Sequence, residues 1–178
     1  MSPEQERAFD EFVAGRYAAL RRTGYLLCGD WHLAEDLVQT TLVKLYARWP
    51  RLREPAAAYG YARTTLVRAY VDTRRRRGSH ELAAPDLGPL LEDGRTADGR
   101  RPGEQAEPAR RLALLAALAQ VSPAYRAVLV LRFWEDQSIE STAAALRQST
   151  GAVKSATNRG LAQLRAILGD SLHEIAAG

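Results

Sequence analysis

The chain has one cysteine, one methionine and three histidines in 178 residues. Cys28 has no partner for an internal disulfide. No second thiol or clustered histidine accompanies it, so no metal and no cofactor is expected, and Cys28 reads as a buried bystander. Long apolar runs are also missing. None approaches the roughly 18 residues of a membrane span, and the N-terminus, MSPEQERAFDEF, is acidic from its start. A cytoplasmic chain with no membrane insertion is the expectation. Nor is there a large excess of charge of one sign: the net charge is +4, so where the charges lie decides more than their sum. A hydrophobic content of 46% is enough for an ordinary core, and the length allows one domain or two small ones.

What is present is helical periodicity, clearest from Asp30 to Trp49, DWHLAEDLVQTTLVKLYARW. At about 100° per residue, Leu37, Val38, Thr41, Leu42, Leu45 and Trp49 fall on one face, suited to packing on a core. Asp36, Gln39, Thr40 and Val43 group on another, an acid and an amide beside a valine that a solvated helix does not need. Asp30 suits the N-cap, and Pro50 stops the helix at its far end. Before it, apolar residues at helical spacing (Phe9, Phe12, Val13, Tyr17, Leu20, Leu27) predict an amphipathic helix from about Glu4 to Leu27. Gly29 and Asp30 make a short break that favours antiparallel packing of the two.

Pro55 and Gly60 mark a loop, with a further helix beginning near Tyr59 to Tyr61. Ala62, Leu66, Ala69, Tyr70 and Thr73 share a side that can pack inward; Tyr61, Thr64, Arg68, Asp72 and Arg75 share the opposite one. The helix runs into Arg74, Arg75, Arg76 and Arg77, a cationic run suited to phosphate, and Tyr59, Tyr61 and Tyr70 alternate with arginines as a single-strand-binding surface requires. From Gly78 to about Arg110, prolines and glycines recur and helical periodicity disappears, which reads as a net acidic, flexible linker.

Helical pattern returns in RRLALLAALAQ and continues through SPAYRAVLVLRFWED, where Ser122 and Pro123 suit an N-cap and a first turn. SIESTAAALRQSTGAVKSATNRGLAQLRAILGD then has the layout of a helix-turn-helix. Ser138 caps a first helix from Ile139 to about Leu146, a turn runs from Arg147 to Thr150, and a second helix runs from about Gly151 to Leu168. Val153, Thr157, Leu161, Leu164 and Leu168 face inward. Ala152, Ser155, Ala156, Asn158, Arg159 and Ala162 face outward, their small members letting the backbone come close to a surface. Asn158 and Arg159 can bond base edges, with Lys154 and Arg165 placed for phosphates.

The helix from Asp30 to Trp49 resembles the polymerase-docking helix of bacterial sigma factors, in the compact extracytoplasmic-function (group IV) branch of the sigma-70 family. FWEDQSIESTAAALRQSTGAVKSATNRGLAQLR resembles that family's second-module signature, with Gly151, Val153, Lys154, Ser155, Arg159, Leu164 and Arg165 at matching positions. The resemblance implies an all-α protein of two small helical domains: residues 1–77, which bind polymerase and read and melt the minus-ten element; a linker, 78–110; and residues 111–178, which read the minus-thirty-five element. It implies RNA polymerase core as partner, through the beta-prime clamp helices and the beta flap, together with promoter DNA, and an anti-sigma factor as a further partner of such proteins. Asp36, Gln39, Thr40 and Val43 would face the clamp. Tyr61, Thr64, Arg68, Asp72, Arg74 and Arg75 would lie at the minus-ten strand, and Lys154, Ser155, Asn158, Arg159 and Arg165 at the minus-thirty-five duplex. Arg68 departs from the family's frequent asparagine, Tyr125 from a glutamine and Ser141 from a glutamate. Arg147 stands where a glycine often makes a left-handed turn, at a cost of about 1 kcal/mol.

Two other functions compete. A stand-alone regulator binding operator DNA would use the helix-turn-helix and leave the Asp36 face without a role. An enzyme would need His32, Glu35 and Asp36 to be joined by convergent groups, but His80 and His173 fall in the linker and the tail, so no catalysis is expected.

Overall fold

A computed structural model describes residues 1–52, 55–77 and 106–169, and among them every regular element is helical. Helix α1, Pro3–Cys28, begins with a reciprocal cap: the Ser2 hydroxyl accepts from Gln5 N–H at 3.3 Å, and the Gln5 side chain accepts from Ser2 N–H at 3.0 Å. Gly29 closes it in the left-handed region, φ 72°, with its N–H on Tyr25 O at 2.7 Å. One residue later the Asp30 carboxylate accepts from Leu33 N–H at 3.0 Å and starts α2, Trp31–Arg48. The reversal brings Gly24 against Ala34, where a Cβ on residue 24 would stand 3.3 Å from the alanine methyl. Phe9 meets Tyr46 and Trp49 edge-on, with ring centroids 5.1 Å apart in both pairs. Pairing 24 with 34 and 9 with 46 makes the two helices antiparallel, as the short connection requires.

After a single 3₁₀ turn, Trp49–Arg51, helix α3 runs over Pro55–Arg77. The sequence placed its start near Tyr59 to Tyr61. It begins earlier because proline suits a first turn, where its missing N–H has no intrahelical role, and Gly60 is carried inside the helix. Ala58, Ala62, Leu66, Val67, Ala69 and Tyr70 are buried. Tyr70 was placed on the inward side and is fully buried in the core; the part in stacking bases also given to it falls away, since it has no face to offer a strand.

Helix α4, Ala106–Gln120, starts inside the segment read as linker, and residues 78–105, with the acids among them, lie outside the described residues. Helix α5, Pro123–Leu129, continues into a π-helical turn, Val130–Trp134, that sequence periodicity did not reveal. Pro123 is at the first turn as expected, but the Ser122 hydroxyl makes no cap; its N–H donates to Gln163 Oε1 at 3.0 Å. Helix α6, Ile139–Leu146, is capped by Ser138, which accepts from Ser141 N–H at 3.0 Å. Arg147 follows in the left-handed conformation, φ 55° and ψ 47°, and α7, Thr150–Leu168, is capped by Ser149. Gly160 lets α7 approach α5: a Cβ there would meet Leu129 at 3.1 Å and Tyr125 at 3.2 Å.

The core is not divided between the two halves of the chain. One cluster joins α1, α2 and α3 to Ala127, Val130, Leu131 and Ala145; a smaller one holds Val128, Ala143 and Val153 beneath the helix-turn-helix.

Cys28 is buried within the larger cluster, its thiol donating to Asp30 O at 3.0 Å, and burial raises its pKa to about 11. At pH 8 only about one thiol in a thousand is then thiolate. Cys28 will react with a thiol-specific disulfide reagent at least a hundredfold more slowly in the native chain than in guanidinium; equal rates would contradict its burial.

Candidate functional site

Three surfaces carry the residues singled out by the sequence. On α2, Leu37, Val38, Thr41, Leu42, Leu45 and Trp49 are all buried, and the Thr41 hydroxyl is satisfied by Leu37 O at 2.7 Å. Asp36, Gln39, Thr40 and Val43 are exposed together, Val43 to 69%. Tyr46, 47% exposed, extends the strip by a further turn and was not anticipated. Val43 and Tyr46, one turn apart and both exposed beside an acid and an amide, make this strip a candidate partner surface. Glu35, at its margin, is engaged elsewhere: it accepts from the Tyr17 hydroxyl at 2.5 Å and lies 3.8 Å from the Arg21 guanidinium. That bond to Glu35 raises the Tyr17 pKa. Among the described residues no three His, Cys, Asp or Glu side chains converge as a metal site would require.

On α3 the expected residues divide. Asp72 is exposed, and Tyr61 and Thr64 are half-buried. Arg68 turns to the second half of the chain, its Nε donating to Ala145 O at 2.7 Å and a terminal nitrogen to Ala144 O at 2.9 Å. Arg74 lies over the Tyr70 ring, 5.8 Å from its centroid, and the Arg75 side chain lies outside the described residues. Sequence reasoning missed Arg63 and Glu135. The Glu135 carboxylate accepts from the Thr23 hydroxyl, from the Tyr59 hydroxyl at 3.3 Å and from Arg63 at 3.5 Å, while Arg63 also donates to Gln137 Oε1 at 2.7 Å. Burial, then the neighbouring Glu135 charge, raises the Tyr59 pKa. No local signal announces these contacts, because their partners lie more than seventy residues apart.

On α7, Lys154, Ser155, Asn158, Arg159 and Arg165 are all exposed while Val153 is buried beneath them. Their helical positions fall within an arc of about 140° over roughly 16 Å of axis, one continuous face. Arg159 reaches back to the Tyr125 hydroxyl at 3.5 Å. Ala156, expected outward, is half-buried against the small cluster.

A fourth feature is an apolar groove of about 350 Å³ between α1, α4, the π turn and α7, lined by Leu26, Leu114, Leu118, Phe133, Trp134 and Leu164. Phe133 and Trp134 are 60% and 48% exposed there. Among the described residues no helix is long and apolar enough to cross a membrane.

Comparison with known proteins agrees with this layout. The family model described as Sigma-70 region 2 matches residues 12–80, and that described as Sigma-70, region 4 matches residues 111–164. The RNA polymerase sigma-E factor of Streptomyces avermitilis is 36% identical over 157 residues, covering 88% of this chain and 83% of its own. That of Streptomyces antibioticus is 37% identical over 157 residues, covering 88% and 82%. The ECF RNA polymerase sigma factor SigE of Mycolicibacterium smegmatis is 33% identical over 172 residues, covering 95% of this chain and 65% of its own. In fold, the chain is similar to the sigma factor RpoE of Bartonella quintana, solved in complex with the anti-sigma factor NepR, with a TM-score of 0.62, 22% identity and coverage of 90% and 96%. Matched across both halves, and over more than four-fifths of the length of the two Streptomyces relatives, the chain belongs to the sigma-70 family of RNA polymerase sigma factors, in its extracytoplasmic-function group.

Proposed function

We propose that the chain binds RNA polymerase core through the exposed strip of Asp36, Gln39, Thr40 and Val43 on α2, and directs promoter-specific initiation with no catalysis of its own, in the cytoplasm. The observation that carries the reading is the contrast within that one helix, a wholly buried face opposed to a strip where Val43 stands in water. Domain boundaries at 1–77 and 111–178, joined by a linker, accord with this division of labour. The α7 face suits a major groove: Asn158 and Arg159 for base edges, Ser155 close to the backbone, Lys154 and Arg165 for phosphates. Tyr61, Thr64, Arg68, Asp72, Arg74 and Arg75 are the minus-ten set, and the groove lined by Phe133 and Trp134 is of a kind to take an apolar segment of the beta flap. A stand-alone regulator has no use for the α2 strip.

Co-elution of the purified chain with bacterial core polymerase, followed by run-off transcription from a randomised promoter library, tests the whole reading. Selective initiation supports it; failure to co-elute, with tight specific binding of duplex DNA by the free chain, points to the regulator. On the α7 face, Arg159→Ala will weaken initiation at cognate promoters by about 1 to 3 kcal/mol and relax sequence preference at one position. A loss of equal size on every sequence would make Arg159 a phosphate contact instead.

A further inference from the structure

Beside the exposed strip of α2 lies a set of polar side chains contributed by α1. With Gly24 against Ala34 and Phe9 against Tyr46, the antiparallel register puts Tyr17 close to the level of Gln39 and Arg21 close to that of Glu35. The Tyr17 hydroxyl donates to Glu35 Oε1 at 2.5 Å, and Arg21 Nε stands 3.8 Å from Glu35 Oε2. Arg21 is itself steadied, its guanidinium 4.6 Å from the centroid of the Trp31 ring, which in turn stacks on Tyr25. The bond to Glu35 raises the Tyr17 pKa, and a hydrogen bond from Gln39, one turn further along α2, works against that rise. With its one proton given to Glu35, the phenol oxygen can only accept, so the Gln39 amide is the donor. Packing of α1 on α2 does not depend on this set: Leu20, Leu27, Leu37, Val38 and Leu45 are buried in the core, whereas Tyr17, Arg21 and Glu35 are half-buried. Polar pairs so near the surface add little to stability.

We propose that Tyr17 is a positioning residue for polymerase docking: together with Glu35 it holds the Gln39 side chain in one arrangement on the free protein, so that the α2 strip meets core polymerase already formed. This role rests on the assignment of that strip to polymerase made above. A free glutamine or glutamate loses its rotamer freedom when a partner captures it, which weakens association. Side chains already held by Tyr17 have lost that freedom on folding. Arg21 serves the same end by steadying Glu35 from its other oxygen.

The test titrates the full chain against bacterial core polymerase and follows thermal unfolding of the same preparations. Tyr17→Phe keeps the ring and removes only the hydroxyl. It should raise the dissociation constant about tenfold, with a Tm within about 3 °C of the wild type. Glu35→Ala should do the same. Because the pair acts as one unit, the double variant should bind no more than about twofold more weakly than either single one. Losses that multiply to about a hundredfold in the double variant would make Tyr17 and Glu35 separate contacts and overturn the positioning role. So would a Tyr17→Phe chain that binds as the wild type does. Asp36→Ala with Gln39→Ala, measured alongside, tells the two failures apart. If that variant loses binding while Tyr17→Phe does not, the strip stands and the part of α1 falls; if it too binds normally, the strip is not the polymerase surface and both fall.

Discussion

Asp36→Ala combined with Gln39→Ala will abolish association with RNA polymerase core while leaving the fold as it is. Both side chains are exposed on α2, and the face that anchors the helix, from Leu37 to Trp49, contains neither of them. Truncating exposed polar groups usually changes stability by no more than about 0.5 kcal/mol. Interface anchors, by contrast, each contribute about 2 kcal/mol or more, so losing two should raise the dissociation constant at least about a hundredfold. Thermal unfolding and a titration against core polymerase, made on the same preparation, separate the two effects. Unchanged association in the double variant would remove the α2 strip from the polymerase interface, whatever the family.

Arg126→Met will destabilise the chain by about 3 kcal/mol, a fall in Tm of roughly 6 to 12 °C for a protein of this size. Arg126 is fully buried on α5 and donates to three backbone carbonyls: Leu27 O at 3.0 Å, Val121 O at 2.9 Å and Ala119 O. Burial pushes its guanidinium below the usual arginine range. Two effects oppose each other. Methionine removes the cost of a desolvated charge whose Nε finds no acceptor among the described residues. It also strands three carbonyls, two of them at the ends of α4 and α1 where no helical N–H remains to serve them, and each orphan costs about 1 to 3 kcal/mol. The stranded carbonyls win because methionine fills the space but donates nothing. A variant melting at or above the wild-type temperature would show that relief of the buried charge outweighs the loss of the three hydrogen bonds.

How far the sequence could be read depends on the range over which each feature is decided. The two faces of α2 follow from periodicity within eighteen residues, and each residue assigned to either one is found there. The turn from Arg147 to Thr150 was legible as the break between two helical patterns, while the left-handed position came from the resemblance alone, which has a glycine there; Arg147 takes that conformation, φ 55° and ψ 47°, without being one. Composition alone gave Tyr70 and Tyr61 the same part, since both are tyrosines beside arginines. Periodicity separated them, Tyr70 on the inward side of α3 and Tyr61 on the outer, and the structure buries the first and leaves the second half-buried. Arg68 was placed on the outer face of α3 correctly as far as α1 to α3 are concerned. What covers that face arrives from α6, seventy-six residues later, and nothing near Arg68 encodes it. The π turn escaped because one extra residue in a helical turn leaves no mark on a short apolar run such as VLVLRFW.

The hydrogen bond from Thr23 to Glu135 spans 112 positions of the chain, whereas α1 and α2 meet across a break of two residues. Short spans close fast and long ones late, because the entropy of bringing distant segments together is lost before any contact compensates. Folding should therefore be ordered in time, with α1 to α3 and α4 to α7 each gathering first and their union coming last. Because that union buries Ala127, Val130 and Leu131 in one core with α1 to α3, the last step to form is also the one that makes the two halves a single cooperative unit.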